Sequence, residues 1–195
     1  MKYCTHCGAT VSLAVPRGDT LPRHICDDCG TIHYQNPKVV VGCIAEWDDD
    51  RILICRRAIE PRYGLWTLPA GFMENGETVQ QGAARETLEE ARARVEIGPL
   101  YTLFNLPHIN QVYMLFRGRL LDLDFGPGAE SLDVALIEEA EIPWEAIAFP
   151  VIEESLRLYY QDRAAGRFRL HAGDIVRIDG PERRWRTTLY ESQEP

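Results

Sequence analysis

The chain has 195 residues, which is enough for one domain with a sizeable core and a small appendage. Its formal net charge is −9, and all of its 21 basic residues except Lys2 and Lys38 are arginines, so broad binding to nucleic acid, which needs basic patches, is not expected. Neither a membrane-spanning apolar run nor a signal-peptide core is present, so we expect no membrane partner and a cytoplasmic location.

The first 35 residues are rich in turns, poor in large aliphatic residues, and contain two Cys-x-x-Cys-Gly motifs. The motif cysteines are Cys4, Cys7, Cys26 and Cys29. Disulfides or a redox pair are the alternatives, but in a reducing compartment four thiolates in two matched motifs favour a tetrahedral structural zinc site. The metal would then supply much of the folding free energy of a segment that has little core of its own.

The rest of the chain alternates predicted strands and helices. Two β-branched segments flank an acidic turn at 48–50 and predict a hairpin, in which Cys43 and Cys55 are small core residues. Further on, Thr78 and Gln81 have the pattern of a capping box at the start of a helix. The predicted elements are strands at 38–47 and 51–57, a Gly-rich loop at 63–77, the capped helix, strands at 94–104 and 111–125, an apolar run at 132–137, and helices at 142–149 and 151–166. Because no strict βαβ repeat is present, we expect a mixed sheet between helices, followed by a C-terminal hairpin around 179–182.

The capped helix carries three glutamates, Glu86, Glu89 and Glu90, on one strip about 100° wide. Like charges at this spacing repel, so they form either a solvated face or a site for a cation. Pairing of Glu89 with Arg85, and of Glu90 with Arg94, would suit the solvated face. The other side of the helix is predicted to be its buried stripe, formed by Ala83, Ala84, Thr87, Leu88 and Ala91. Spacing within the helix does not decide between the two interpretations.

Residues that precede the helix favour a cation site. The segment 71–93 resembles the signature of the Nudix hydrolases, G-x5-E-x7-R-E-U-x-E-E-x-G-U. It matches that signature at the first glycine and at every charged position. The matching residues are Gly71, Glu77, Arg85, Glu86, Glu89 and Glu90. Thr87, Arg92 and Ala93 depart from the pattern. Because arginine adopts the left-handed conformation of a C-terminal glycine poorly, we expect the helix to continue through Ala93 or the following turn to differ.

The resemblance covers roughly residues 37 to 165 and implies an α/β/α sandwich with a mixed sheet, an α+β fold preceded by a zinc ribbon. The expected domains are a zinc ribbon at 1–35, a Nudix domain at 36–166 and a C-terminal extension at 167–195. The chain looks most similar to zinc-ribbon Nudix hydrolases of the bacterial and plastid type, a group that includes FAD and ADP-ribose pyrophosphatase-like proteins. This similarity also implies a homodimer.

By this resemblance, Mg²⁺ or Mn²⁺ is the catalytic metal, with Glu86, Glu89, Glu90 and the main-chain carbonyl of Ala70 as ligands. Glu77 is expected to orient the helix or a ligand water, and Arg85 to steer the carboxylates through salt bridges. Glu130, in the loop 126–131, is our candidate for a further metal ligand or the general base; an ordinary loop glutamate is the alternative.

Four residues are candidates for substrate contacts, and each has a purely structural alternative. Trp66 is suited to stacking a base or flavin, although buried aromatic residues more often belong to the core. Arg57 is placed to contact phosphate, or to form an exposed pair with Arg56. His108 and Gln111 flank a turn, where they would reach a ligand or cap the turn.

The resemblance implies Mg²⁺-dependent cleavage of a small dinucleotide-like molecule such as FAD, ADP-ribose or NADH into a nucleoside monophosphate and a second phosphorylated product. Two other functions stay open. One is a nucleotide sensor without catalysis, whose zinc ribbon binds a protein or nucleic acid. The other is a hydrolase of NAD-capped RNA, a function to which zinc-bearing relatives lend support.

Overall fold

The structure is a computed structural model and describes residues 1–48, 50–178 and 184–190. The described chain divides into two compact units, Met1–Pro37 and Lys38–Pro195. The N-terminal unit has a small antiparallel sheet of β1 (Val11–Ala14), β2 (Arg23–Cys26) and β3 (Ile32–His33), paired in that order. Main-chain hydrogen bonds close a tight turn at each cysteine motif, from Gly8 to Cys4 (3.0 Å) and from Gly30 to Cys26 (3.2 Å). The predicted small zinc-ribbon fold is therefore confirmed.

The second unit contains a mixed sheet of nine strands among the described residues, with two α-helices. The helices are α1 (Val79–Ala91) and α2 (Pro150–Ala164), and the strands are β4 (Lys38–Glu46), β5 (Ile52–Arg57), β6 (Trp66–Thr67), β7 (Ala70–Phe72), β8 (Val95–Leu106), β9 (Gln111–Leu120), β10 (Ser131–Ile137), β11 (His171–Ile178) and β12 (Arg184–Leu189). The strand order is β10-β5-β4-β9-β8-β11-β12, with β6 added to β5 and β7 to β4. Among the strands that the structure describes, only the pairs β4–β9 and β8–β11 are parallel. None of the described helices combines the length and the apolar composition that crossing a bilayer would need.

The two helices pack on opposite faces of this sheet, because successive side chains of β4 and β5 point alternately to one face and to the other. Ile44 and Ile54 point into the larger hydrophobic cluster, which contains Ile152 of α2. Cys43 and Cys55 point into a second cluster, which contains Ala91 of α1, and their burial confirms that they are core residues. The predicted sandwich with a mixed sheet is confirmed.

The predicted hairpin of β4 and β5 is formed only at its turn, where Glu46 pairs with Ile52. Beyond the turn, β4 pairs with β7 and β5 pairs with β6. Both short strands come from the segment predicted to be a loop at 63–77, so that segment adds two strands to the sheet. Asp49, within the predicted turn, lies outside the described residues. The tip of the predicted C-terminal hairpin at 179–182 also lies outside them, whereas β11 and β12 pair antiparallel.

The segment 142–149, predicted to be a short helix, forms only a 3₁₀ turn at Trp144–Ala146. The rest of the segment is extended because it pairs with the edge of β6. Ile147 bridges to Trp66 in parallel, and the Ala148 N–H donates to the Trp66 carbonyl at 2.8 Å. The local sequence pattern favours a helix here, and it does not reveal that pairing with a distant strand competes with helix formation.

Helix α1 begins at the predicted capping box, in which Thr78 Oγ1 accepts from the Gln81 N–H at 3.2 Å and the Gln81 side chain accepts from the Thr78 N–H at 2.8 Å. Its predicted buried stripe is only partly right. Ala83, Thr87 and Ala91 are fully buried, and Ala84 is half-buried, but Leu88 is 51% exposed. Glu86 and Glu90 are buried instead. The helix is thus rotated so that part of its acidic strip faces the sheet.

The end of α1 contradicts both expectations for Arg92. The helix stops at Ala91, and Arg92 itself adopts the left-handed conformation (φ 51°, ψ 17°) that glycine would favour. Its N–H donates to the Leu88 carbonyl at 2.9 Å, which closes the last turn. Arg94, the proposed partner of Glu90, pairs with Asp122.

Candidate active site

The N-terminal unit brings the four motif cysteines together. The Sγ atoms of Cys4, Cys7, Cys26 and Cys29 all lie within 4.8 Å of one another. Individual separations are 3.4 Å for Cys7 and Cys26, 3.5 Å for Cys7 and Cys29, and 3.8 Å for Cys4 and Cys29. Tetrahedral zinc with Zn–S bonds of about 2.3 Å places its sulfurs about 3.8 Å apart. Main-chain N–H groups of His6 and Cys29 donate to Cys4 Sγ and Cys26 Sγ. This cluster fits a structural zinc ion.

In the second unit, Arg85 connects the acidic residues of α1 with the preceding loop. Its guanidinium binds Glu77 at 2.9 and 3.0 Å, Glu86 at 2.8 Å and Glu89 at 3.0 Å, and it donates to the Phe72 carbonyl at 3.1 Å. The side chains of Glu77 and Glu86 are mostly shielded from solvent, whereas that of Glu89 is 58% exposed. The arginine therefore fixes two shielded carboxylates and one exposed carboxylate at once.

Glu77 holds the loop and Arg85 together. Its carboxylate accepts from Arg85 and from the Glu74 N–H, the latter at 2.7 Å. These hydrogen bonds, with Arg85 as the largest cause, lower the pKa of Glu77 to about 2. Glu77 is consequently ionised throughout the physiological range, and it orients the arginine that contacts the other two carboxylates.

Glu90 lies deeper than the other acidic residues of α1, with 7% of its surface exposed. One carboxylate oxygen accepts from the Ala70 N–H at 3.1 Å. The pKa of Glu90 is raised to about 8, with burial as the largest cause; the charges of Glu86 and Glu130 add to the rise, and the Ala70 N–H and Arg57 oppose it. Burial also raises the pKa of Glu86, an effect that Arg85 offsets. Ionising these two carboxylates is therefore unfavourable in the free protein, and a bound cation would offset that cost.

The loop 126–131 is attached to the C-terminal end of α1. Gly126 N–H donates to the Ala91 carbonyl and Gly128 N–H to the Glu90 carbonyl, both at 2.9 Å, so the loop satisfies two of the acceptors that the helix end leaves open. Glu130, the candidate base, has an exposed side chain, and its carbonyl accepts from the Ala58 N–H at 2.8 Å. Glu130 lines the same cavity as Glu86 and Glu90, and its charge contributes to raising the pKa of both.

The second unit contains a cavity of about 1030 Å³ beside α1 and the loop 126–131. Acidic residues of the cavity wall include Glu86, Glu89, Glu90 and Glu130, and basic residues include Arg57, Arg62, Arg85 and Arg177. Ala70 and Gly71 of β7 also contribute to the wall. A cavity of this size is suited to a ligand as large as a dinucleotide.

Three of the four candidate substrate residues line this cavity, namely Arg57, His108 and Gln111. Arg57 is only 8% exposed, so the interpretation of Arg56 and Arg57 as a surface pair is wrong for Arg57. Its Nε donates to the Pro61 carbonyl at 3.0 Å, and its guanidinium lies 5.1 Å from the centre of the Phe149 ring. Side chains alternate along β5, so Arg57 points to the face opposite that of the exposed Arg56.

Trp66 does not line the cavity; its indole packs against the main hydrophobic cluster. Trp185 lines the cavity, and sequence reasoning missed it. Its ring centre lies 4.8 Å from that of His108. The sequence signal for this region was the alternation of apolar and polar residues in the C-terminal tail. That alternation predicts a hairpin but does not show that the hairpin pairs with β8.

Comparison with known families identifies both parts of the chain. Residues 2–35 match the Nudix N-terminal zinc-ribbon family, and residues 36–157 match the NUDIX domain family. A NUDIX hydrolase from Nitrosomonas europaea has a crystal structure that superposes with a TM-score of 0.88 at 62% identity, covering 90% of this chain and 99% of that one.

Curated relatives include the NAD-capped RNA hydrolase NudC of Photobacterium profundum, 30% identical over 80% of this chain and 59% of that protein. The ADP-ribose pyrophosphatase of Methanocaldococcus jannaschii is 36% identical over 38% of this chain and 43% of that protein. The chain spans about half the length of the curated relatives it matches. The match of its larger unit over 36–157, together with the zinc-ribbon match over 2–35, shows that the chain belongs to the Nudix hydrolase family, in the group that carries an N-terminal zinc ribbon.

Proposed function

We propose that this chain hydrolyses the pyrophosphate bond of a nucleoside diphosphate linked to another moiety, in the presence of Mg²⁺ or Mn²⁺. The substrate class is a dinucleotide-like molecule such as FAD, ADP-ribose or NADH, and a nucleoside monophosphate is one product. The observation that carries the proposal is a single cavity lined by Glu86, Glu89, Glu90 and Glu130 together with the buried Arg57. This lining provides ligands for a metal and a cation for phosphate within one cavity.

The residues present fit a magnesium site. Glu86, Glu89 and Glu90 would hold the ion together with the carbonyl of Ala70, because hard oxygen donors are what Mg²⁺ prefers. When bound, the metal would neutralise the pyrophosphate and polarise the attacking water. Glu86, Glu89, Glu90 and Glu130 share one cavity wall, and burial, with the charges of Glu86 and Glu130, raises the pKa of Glu90. A divalent cation among these carboxylates would offset both effects, which supports the assignment.

Other residues would position these groups. Arg85 holds Glu86 and Glu89, and Glu77 holds Arg85, so the carboxylates reach the cavity in a fixed orientation. Glu130 is exposed and close to Glu86 and Glu90, which suits a base that accepts a proton from the attacking water. Arg57 would compensate the charge of the substrate phosphates.

A panel of nucleotides assayed with and without Mg²⁺ tests the proposal. Phosphatase would be added after the reaction, so that new terminal phosphates are counted. We expect hydrolysis of at least one dinucleotide, and loss of about a hundredfold or more in kcat for Glu89→Gln and Glu90→Gln. Glu145→Gln is the control, because Glu145 is exposed and outside the cavity wall. Unchanged turnover in both site variants would refute the assignment, and no turnover of any compound would favour a sensor.

A second candidate, hydrolysis of NAD-capped RNA, draws support from the similarity to the Photobacterium hydrolase. The charge of the N-terminal unit does not favour RNA. Three basic residues (Lys2, Arg17, Arg23) balance three acidic residues (Asp19, Asp27, Asp28) within Met1–Pro37. Comparing kcat/KM for capped RNA and for free NAD at physiological salt separates the two functions, because RNA contacts would favour the capped substrate and would weaken with added salt.

A further inference from the structure

The C-terminal hairpin completes the wall of the cavity. The matched NUDIX region ends at residue 157, whereas β11 and β12 follow it. Strand β11 pairs in parallel with β8 from His171 to Asp174 and antiparallel with β12. Ile175, Arg177 and Trp185 of this hairpin line the same cavity as the glutamates of α1. Part of the cavity wall therefore lies outside the region that matches the NUDIX domain family.

Trp185 occupies a defined position in this wall. Its ring centre lies 4.8 Å from that of His108, with the two ring planes inclined by 46°. His108 lies in the 3₁₀ turn Pro107–Ile109, so the turn that follows β8 supports the indole. On β11 the residue directly opposite Trp185 is Arg177, another residue of the cavity wall. Trp185 is half-buried, and it keeps part of its indole exposed.

This grouping has the chemistry of a nucleobase subsite. An indole offers a wide apolar face to any planar heterocycle, and stacking of a base on an aromatic side chain strengthens binding by about five- to 150-fold. A neighbouring arginine contributes positive charge for the phosphate attached to that nucleoside. The glutamates in the same cavity are expected to act on the pyrophosphate, so one dinucleotide would contact both regions.

We infer that Trp185, supported by His108 and with Arg177 opposite, stacks the base of the nucleotide and makes the C-terminal hairpin a determinant of substrate specificity. This inference rests on the proposed function for the identity of the ligand. The alternative role for Trp185 is packing alone, because its indole also contacts the main hydrophobic cluster. Stacking needs a planar ring at position 185, whereas packing needs only apolar volume.

Binding experiments without added divalent metal test the inference apart from catalysis. The probes are AMP and ADP-ribose, which carry a base, and ribose 5-phosphate, which does not. Calorimetric titrations would compare wild type, Trp185→Phe and Trp185→Leu, with Arg186→Ala as the control. Arg186 is exposed and, by strand alternation, points to the other face of β12.

We expect Trp185→Leu to weaken AMP and ADP-ribose binding about fivefold or more and to leave ribose 5-phosphate unchanged. Trp185→Phe should keep most of the affinity, and Arg186→Ala all of it. If the Leu and Phe variants bound AMP with equal affinity, the inference would be overturned. It would also be overturned if the wild-type protein bound neither AMP nor ADP-ribose. If binding depends on the ring but no nucleotide is hydrolysed, the proposed function fails and the base subsite stands.

Discussion

The carboxylate of Glu86 lies against the α-carbon of Gly71, so close that a β-carbon at position 71 would overlap it. On its other side, Glu86 accepts from Arg85 Nη1 at 2.8 Å. Glu86 is thus confined between β7 and the guanidinium, and this explains in physical terms why a glycine precedes the acidic helix.

We expect Gly71→Ala to displace the Glu86 carboxylate and lower metal-dependent turnover about tenfold or more. The melting temperature should change little, because the overlapping atoms are the far end of a flexible side chain that can move aside. Steady-state kinetics and calorimetry on the same preparation measure the two effects. Full activity in Gly71→Ala would show that the position of Glu86 is not critical.

Gly128 makes a different kind of close approach. A β-carbon there would overlap the main-chain carbonyl oxygen of Glu89, which no side-chain rotation can relieve. Gly128→Ala should therefore detach the loop 126–131 from the helix end and destabilise the protein by about 2 kcal/mol or more. Gly126→Ala is the matched control, since its β-carbon would meet nothing within 4 Å. Urea denaturation of both variants gives the comparison, and equal midpoints would contradict the expected clash.

The sequence predicts the acidic helix well because its signals are local. The capping box at Thr78 and Gln81 and the spacing of the charges lie within one short segment. The face of the helix that becomes buried is a tertiary property, and here the local pattern failed. Leu88 is exposed while Glu90 is buried, because the Ala70 N–H on the neighbouring strand supplies a partner for the Glu90 carboxylate.

The aromatic part of the cavity was beyond sequence reasoning for a related reason. Trp185 reaches His108 only because β11 pairs in parallel with β8 and then turns back as β12. Local alternation predicts a strand but does not identify its partner strand. Trp66 illustrates the opposite error, since an aromatic residue close to the signature segment proved to be part of the core.

Arg92 leads to a prediction about stability that is independent of catalysis. Its left-handed conformation costs a residue with a β-carbon about 1 kcal/mol relative to glycine. Arg92→Gly should therefore raise the free energy of unfolding by about that amount and leave turnover unchanged. Arg92→Ala, which loses the same charge but keeps the β-carbon, should not gain this stability. Denaturant titrations of the three proteins distinguish backbone strain from charge, and equal gains in both variants would assign the effect to charge.

Glu90 should make the stability of the magnesium-free protein depend on pH. Its pKa is raised from 4.5 to about 8 on folding, so the folded state binds the proton more tightly than the unfolded state. The contribution of Glu90 is most favourable below pH 4.5 and is lost as the pH rises towards 8, because ionisation then leaves a charge buried near Glu86 and Glu130. Glu90→Gln removes this loss while keeping an acceptor for the Ala70 N–H. We expect it to be more stable than wild type by about 2 kcal/mol or more at pH 9, with little difference at pH 4.5.

Melting temperatures measured between pH 4.5 and 9, with zinc retained and without magnesium, check this dependence. Added Mg²⁺ should stabilise wild type most at the upper end of the range, because ligand binding to the folded state stabilises it and the ionised Glu90 is the form that coordinates a cation. Glu90→Gln should lose most of that response, whereas Glu145→Gln, at an exposed position, should keep it. Parallel pH profiles for wild type and Glu90→Gln would mean that folding does not raise the pKa of Glu90, and the raised pKa would then no longer support a magnesium site.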